Sequence, residues 1–304
     1  MSEKLEINLT GIKLKNPAIL ASGFLGVTKA SLKNMINHGA GGVVTKSISP
    51  KPREGHKAPI IITYEAGMLN AVGYSNPGSD KAKEEFTNIK EVGAPAILSI
   101  IGQEIDDFKT VWEKLKDCGF DAIEIPLSCP HTPGYGTMGG QHTPEMAEKI
   151  TRSIKKVADV PVYIKLSPNE NIVPVAKAAE AGGADAVVAG NSMGPGMIID
   201  IKTKTPILGF GMGGVSGPAL RPIAVRCVFD LYKTVKIPII GCGGVGSGRD
   251  LIEMMMAGAL AVELGTAIYE RGPEVFKKIC DEAEAFLTEN GYSNIKEVIG
   301  LAHV

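Results

Sequence analysis

Eight short apolar runs, separated by amphipathic stretches, constrain the fold of this 304-residue chain more than any other feature. The runs are rich in Ala, Val, Ile and Leu without polar alternation, as expected for parallel strands buried on both faces. Between them lie stretches of helical spacing that often end at glycine. Eight such units predict an α/β fold, a single closed TIM-type barrel with long insertions at its C-terminal mouth. The runs lie at 18–21, 42–45, 96–101, 122–127, 162–166, 186–189, 237–241 and 259–264.

Composition excludes several classes of protein. The net charge of −1 provides no basic field for nucleic acid or acidic membranes. Neither a membrane-length apolar stretch nor the apolar segment of a signal peptide is present. The five cysteines include no CxxC pair, so neither a zinc nor an iron–sulfur site is predicted. Length alone also permits two domains, but no linker divides the chain. We therefore predict a single domain over residues 1–304. The odd number of widely spaced cysteines fits free thiols in a reducing cytoplasm, which is the predicted location.

Polar side chains at the ends of the predicted strands point to a site. Lys46, Lys165 and Asn191–Ser192 each stand at or just after the end of an apolar run. The carboxyl ends of barrel strands are where active sites are built. Two unusually long intervals, 46–81 and 193–220, also follow strand ends, and long loops in compact domains are usually functional. A single lysine could instead extend to the surface, but two at equivalent strand ends favour a site.

The glycine-rich segment GCGGVGSG, from Gly241, matches the dinucleotide fingerprint G-x-G-x-x-G, with Glu263 about 20 residues further on. That motif belongs in the first unit of a Rossmann domain, whereas here it follows the seventh run. Loops after barrel strands seven and eight often bind phosphate through backbone N–H groups. Gly243–Gly244 and Gly265–Thr266 are therefore predicted to cradle a phosphate, with simple tight turns as the alternative interpretation.

Cys129 lies just beyond the fourth run, in the stretch EIPLSCPHTPGYG. A buried cysteine is usually an inert small hydrophobic residue. A thiol at the mouth of a barrel could instead transfer a proton or act as a nucleophile, with His131 as a candidate base. The glycine-rich loop that follows could act as a lid. The other four cysteines, which are Cys118, Cys227, Cys242 and Cys280, are predicted to be structural.

Eight motifs, in order, resemble those of the class 1 dihydroorotate dehydrogenases, most closely the NAD-linked class 1B catalytic subunit. The resemblance covers roughly residues 5–269, and the motifs are NPAILASGFLG, VVTKSISPKPREG, GMLNAVGYSNPG, LSCPH, YIKLSPN, NSMGPGMIIDIKTKTPIL, GGVSGPALRPIAVR and IPIIGCGGVGSGRD. It implies an FMN flavoprotein that oxidises (S)-dihydroorotate to orotate in de novo pyrimidine (UMP) biosynthesis. A flavin-free phosphate-binding barrel, the alternative from another class, does not explain Lys46, Lys165 and Cys129 at family positions.

The resemblance also implies individual roles. Lys165 would lie near the flavin N1/C2 carbonyl, and Cys129 would be the base that removes a proton from C5 while C6 delivers hydride to flavin N5. The implied FMN contacts are Ser22, Lys46, Ser47, Lys165, Gly190, Gly217, Gly243, Gly244, Gly265 and Thr266. The implied substrate contacts are Lys46, Asn70, Ala71, Val72, Gly73, Tyr74, Asn191 and Ser192. No metal ligand is implied.

One position departs from the family pattern. Pro126 stands where relatives usually have an asparagine that contacts both flavin and orotate. Proline has no side-chain amide and no backbone N–H. A site that lacks one polar partner can favour another ring, so oxidoreduction of another dihydropyrimidine, of the uracil or thymine type, is the alternative function.

The electron acceptor is predicted from the resemblance alone. Class 1B enzymes reduce NAD⁺ through a separate subunit that carries FAD and a 2Fe–2S cluster, whereas class 1A relatives use fumarate and work without such a subunit. The resemblance favours the class 1B arrangement and a homodimer of the catalytic chain.

Overall fold

The structure, a computed structural model, describes residues 3–127, 141–168 and 172–303. Its strands are β1 (Ile7–Leu9), β2 (Ile12–Leu14), β3 (Ala18–Leu20), β4 (Gly42–Val44), β5 (Ile61–Tyr64), β6 (Gly67–Asn70), β7 (Ala96–Ser99), β8 (Ala122–Pro126), β9 (Val162–Leu166), β10 (Ala186–Ala189), β11 (Met193–Gly196), β12 (Ile199–Asp200), β13 (Thr205–Pro206), β14 (Gly213–Ser216), β15 (Ile239–Cys242) and β16 (Ala261–Leu264). Its helices are α1 (Lys29–Asn37), α2 (Gly78–Phe86), α3 (Ile105–Leu115), α4 (Pro144–Lys155), α5 (Ile172–Ala181), α6 (Arg221–Tyr232), α7 (Gly248–Met256), α8 (Thr266–Arg271) and α9 (Val275–Glu289).

Eight parallel strands close into a barrel in the order β3-β4-β7-β8-β9-β10-β15-β16, and β16 pairs back onto β3. Each of the eight apolar runs overlaps one of these strands, so the predicted barrel is confirmed. The strands differ from the runs mainly at their ends. The seventh starts at Ile239 and not at residue 237, because Pro238 has no N–H to donate to a neighbouring strand.

The helices of the barrel units bury one apolar face each. Helix α4 is representative, because Thr143 caps it by accepting a hydrogen bond from the Met146 N–H at 3.3 Å, and Pro144 occupies its first turn. Its buried face includes Ala147 and Ile150. No helix in the described ranges is long and apolar enough to cross a membrane.

The amino end of the barrel is closed by the antiparallel hairpin β1–β2. Ile7, Leu9 and Leu14 are buried, and the Thr10 hydroxyl lies 2.6 Å from the Tyr163 hydroxyl on β9. With this end covered, the carboxyl ends of the strands are the face left for ligands.

The two long intervals that the sequence presents as loops form one antiparallel sheet, in the order β11-β14-β6-β5. Strand β6 comes from the first interval and β14 from the second, and Leu69 pairs with Val215. A small cluster of Leu69, Ala71 and Leu208 packs this sheet internally. The sequence gives little sign of these strands, because each is four residues or shorter and two of them are glycine-rich.

Candidate active site

Two adjoining cavities open at the carboxyl ends of the barrel strands. The larger, of about 220 Å³, is lined by residues that include Ser22, Lys165, Gly217, Gly243, Gly244, Gly265 and Thr266. The smaller, of about 100 Å³, is lined by Ser22, Gly23, Lys46, Ser47, Asn70, Val72, Gly73, Tyr74, Pro126, Asn191 and Ser192. Ser22, Asn70, Asn191 and Ser192 line both, so the cavities are continuous.

The structure thus brings most of the predicted contact residues together. Gly190 and Ala71 lie beside the cavities and do not line them. A Cβ on Gly190 would stand 1.9 Å from the Cys242 carbonyl oxygen, so glycine is required for close approach of two strand ends. Ala71 is fully buried in the cluster within the antiparallel sheet. Cys129 lies outside the described residues, which stop at Leu127, just after β8.

Glycine backbone forms much of the wall of the larger cavity. Gly23 has a φ of +88°, and a Cβ there would have no heavy atom within 4 Å. A Cβ on Gly265 would meet nothing closer than 3.9 Å. Gly244 has a φ of +73°, and its Cβ would lie 2.6 Å from the Cβ of Arg221. Gly23 and Gly265 thus leave open space and exposed peptide groups, which suit a phosphate and a flat ring, whereas Gly244 allows its loop to pack closely on Arg221.

Lys165 is the central charged group of the larger cavity. Its side chain is 2% exposed, and its ammonium contacts Glu263 and lies 3.5 Å from Glu124 Oε1 and 3.3 Å from Ser22 Oγ. Burial alone would lower the pKa of Lys165, but the two carboxyl groups outweigh burial and raise that pKa above its ordinary value. Lys165 is therefore a fixed cation at neutral pH, with its end in the cavity wall.

Cys242, predicted to be structural, also lines the larger cavity. Burial raises the pKa of its thiol to about 12, and nearby Lys165 only partly opposes this rise. The thiol therefore stays protonated at neutral pH and has neither the basicity nor the nucleophilicity of a thiolate.

Lys46 supplies a cation to the smaller cavity. Burial lowers the pKa of Lys46 below its ordinary value. No ion pair or side-chain hydrogen bond holds its ammonium within the described part of the chain. A half-buried cation of this kind, facing a small cavity, suits an anionic group on a ligand.

Another part of the wall of the smaller cavity comes from the segment between Asn70 and Tyr74, at the end of β6. The Asn70 amide donates to the Gly214 carbonyl oxygen at 3.2 Å, which ties this segment to β14. Tyr74 has a φ of +57°, an uncommon conformation for a residue with a side chain. Gly73 packs so closely on His56 that a Cβ would lie 2.8 Å from the imidazole ring. The wall is therefore held in one conformation by its surroundings.

Comparison with known proteins agrees with this arrangement. A model of the dihydroorotate dehydrogenase family matches residues 4–287. A protein of Methanosarcina acetivorans is 48% identical over 299 residues, which cover 97% of this chain and 95% of that protein. A protein of Methanothermobacter thermautotrophicus is 45% identical, and the match covers 98% of this chain and 98% of that protein. A protein of Pyrococcus abyssi is 46% identical, and the match covers 98% of this chain and 99% of that protein. All three bear the name dihydroorotate dehydrogenase B (NAD(+)), catalytic subunit.

Proposed function

The chain belongs to the dihydroorotate dehydrogenase family, and from that membership we propose that it catalyses the FMN-dependent oxidation of (S)-dihydroorotate to orotate. The observation that carries the proposal is the pair of continuous cavities, one glycine-walled around the buried Lys165 and the other facing Lys46. The dihydroorotate named in the relatives carries a carboxylate, which the second cavity can bind through Lys46.

The residues of the larger cavity fit FMN. Gly243, Gly244, Gly265 and Thr266 would hold its phosphate through the bare backbone, and Ser22 and Lys165 would contact its ring system. Lys46, Ser47 and Gly217 complete the proposed cofactor contacts, whereas Gly190 would act indirectly, by allowing two strand ends to approach each other beside the cavity. When bound, FMN supplies a hydride acceptor at N5. The protein would orient this group and exclude water from it.

The smaller cavity would bind the pyrimidine. Lys46 would pair with the carboxylate, and the amides of Asn70 and Asn191 with the Ser192 hydroxyl would bind the ring. The backbone of Val72, Gly73 and Tyr74 would fix the ring's orientation, and the buried Ala71 would support this segment from the antiparallel sheet. Cys129 would remove the proton from C5, which leaves C6 as the hydride donor.

Anaerobic mixing of the FMN-loaded protein with L-dihydroorotate tests the proposal. We expect rapid bleaching of the flavin absorbance. Protein that takes up no FMN, or that is bleached by dithionite but not by dihydroorotate, would contradict it. Because the relatives carry dihydroorotate in their names, we do not favour the other dihydropyrimidines.

Lys46→Met should weaken orotate binding. A hydrogen bond to a charged group contributes roughly 1.5–3 kcal/mol, so we expect Kd to rise roughly 10- to 150-fold. In the unsubstituted protein, orotate affinity should fall as pH rises through the lowered pKa of Lys46, because the neutral amine no longer attracts the carboxylate.

Titration of orotate against the protein at several pH values measures both effects. Lys51→Met is the matched control, because Lys51 is an exposed lysine nearby that lines neither cavity. Equal affinity of the Lys46→Met and Lys51→Met variants would remove Lys46 from the substrate site.

Pro126→Asn should tighten orotate binding. Pro126 is the last residue of β8, pairs with Lys165 and lines the smaller cavity, so an asparagine amide there could reach the ring. One neutral hydrogen bond adds about 0.5–1.5 kcal/mol, or roughly 2- to 13-fold in Kd. Pro126→Ala is the control, because it removes the proline ring without adding an amide. Equal affinity of the two variants would mean that another group already fills the role of the amide.

We also propose that electrons leave through a partner subunit that carries FAD and a 2Fe–2S cluster and reduces NAD⁺. The relatives are named as catalytic subunits of NAD⁺-linked enzymes, a name that implies a further subunit. An apolar groove lined by Ile61, Ile198, Ile207 and Tyr269 adjoins the larger cavity, which Ile61 also lines. A partner there would lie beside the cofactor cavity. The homodimer stays a prediction of the resemblance, and the cytoplasmic location stays a prediction of the composition.

A further inference from the structure

The interior of the barrel holds two carboxyl groups around one ammonium group. Glu124 on β8 and Glu263 on β16 are 0% and 2% exposed, and both lie within ion-pair distance of Lys165. In the order of the barrel strands, β16 and β8 are four positions apart, so the two carboxyl groups reach the barrel axis from opposite sides. Lys165 is the single basic residue paired with either of them among the described residues.

The hydrogen bonds of this cluster are incomplete unless it holds an additional proton. Ser22 Oγ donates to Glu124 Oε1 at 2.7 Å, and Lys165 serves both carboxyl groups. Glu124 Oε2 and Glu263 Oε1 are buried without a donor among the described groups. The two carboxyl groups are close neighbours, because the same Lys165 ammonium contacts Glu263 and lies 3.5 Å from Glu124 Oε1. A contact between two carboxyl groups is favourable only when one of them is protonated.

The charge balance leads to the same conclusion. Two ionised carboxylates and one ammonium would leave a net negative charge in the interior, which is costly to bury. A proton on the carboxyl pair makes the cluster neutral. The other titratable group that faces it is the protonated thiol of Cys242, on β15, and the described faces of β4, β7 and β10 contribute no charged residue.

We propose that Glu124 and Glu263 are positioning residues for Lys165, and that the two carboxyl groups hold one proton between them, so that the buried cluster is neutral overall. The pair would fix the Lys165 ammonium in the wall of the larger cavity and set the charge that the cavity presents there. Burial, and next to it the neighbouring Glu124 carboxyl group, raise the pKa of Glu263 above its ordinary value, which agrees with a proton held by the pair.

The first test is unfolding of the full chain without added cofactor, from pH 5 to pH 8. The folded state retains a proton that the unfolded chain releases above the ordinary glutamate pKa of about 4.3. Relative to Glu263→Gln, the unsubstituted protein should therefore lose stability as pH rises, by up to about tenfold in the folding equilibrium constant per pH unit. Glu289→Gln, at an exposed glutamate, is the control. If the stability of the unsubstituted protein and of the Glu263→Gln variant changed with pH in the same way, the proposal of a shared proton would be overturned.

The second test is the midpoint potential of bound FMN, and it rests on the proposed function. If the pair carries one negative charge, either Glu263→Gln or Glu124→Gln alone leaves the cluster neutral, because the remaining carboxylate ionises. Each single variant should therefore change the potential little, whereas the double variant leaves Lys165 uncompensated and should shift it to more positive values. A full positive shift in a single variant would overturn the proposal. Absence of FMN binding would overturn the proposed function and leave the unfolding test in force.

Discussion

Cys129→Ala is expected to slow reduction of bound FMN by dihydroorotate by about 10²- to 10⁴-fold, the usual contribution of a general acid–base group. The variant should still bind FMN, because none of the proposed cofactor contacts belongs to Cys129. Stopped-flow absorbance under anaerobic conditions measures the rate directly. Cys129→Ser would keep a hydroxyl that can still accept a proton, so we expect it to be slow but faster than the alanine variant.

The control for this prediction is Cys118→Ala. Cys118 is a buried cysteine that lies at the end of a 3₁₀ helix after α3 and lines neither cavity. It reports on any general effect of losing a buried thiol. Near-normal reduction in the Cys129→Ala variant would remove Cys129 from the mechanism, since Cys242 is held protonated and could not replace it.

Lys165→Met is expected to destabilise the fold by about 3–5 kcal/mol, because it leaves Glu124 and Glu263 without their buried counter-ion. The loss should depend on pH. Without the ammonium, both carboxyl groups are buried without a counter-ion unless they are protonated, and the pKa of Glu263, already raised by burial, rises further. The destabilisation should therefore be smaller at pH 5 than at pH 8. Denaturant unfolding at the two pH values measures this difference.

The comparison variant is Lys155→Met. Lys155 also forms an ion pair, with Asp185 at 2.8 Å, but both side chains are about one-third exposed. Exposed ion pairs contribute about 0–1 kcal/mol, so this variant should unfold almost like the unsubstituted protein. If the Lys165 and Lys155 variants lost the same stability, the buried cluster would not hold the barrel together as described. Addition of Glu263→Gln to the Lys165→Met variant should recover part of the lost stability at pH 8.

The barrel itself could be predicted because its signal is local and repeated. Each strand–helix unit carries its own apolar run and its own signal for the end of the helix. Eight such units predict a closed barrel. The site followed from the same logic, because polar residues at the carboxyl ends of parallel strands must share one face. Lys46 and Lys165 lie in the cavities for this reason.

The charge cluster inside the barrel could not be predicted in the same way. Glu124 and Glu263 are far apart in sequence and meet only because their strands face each other across the closed barrel. A usable signal was nevertheless present. Each glutamate interrupts a short apolar strand, and a charge inside a buried strand requires a partner. Glu263 follows the glycine fingerprint at about the spacing of its acidic residue, but in this barrel its carboxyl group contacts Lys165.

The antiparallel sheet at the mouth has a consequence for the order in which this protein is made. Asn70 bonds to Gly214 across 144 positions of the chain. A growing chain that ends before Gly213 already contains six of the eight barrel strands, yet it lacks β14, which supports the wall proposed to bind the pyrimidine. An incomplete chain of this length therefore cannot bind the substrate as the complete protein would. Ligand added to the finished chain should raise its Tm, because it binds only molecules in which both distant segments have joined.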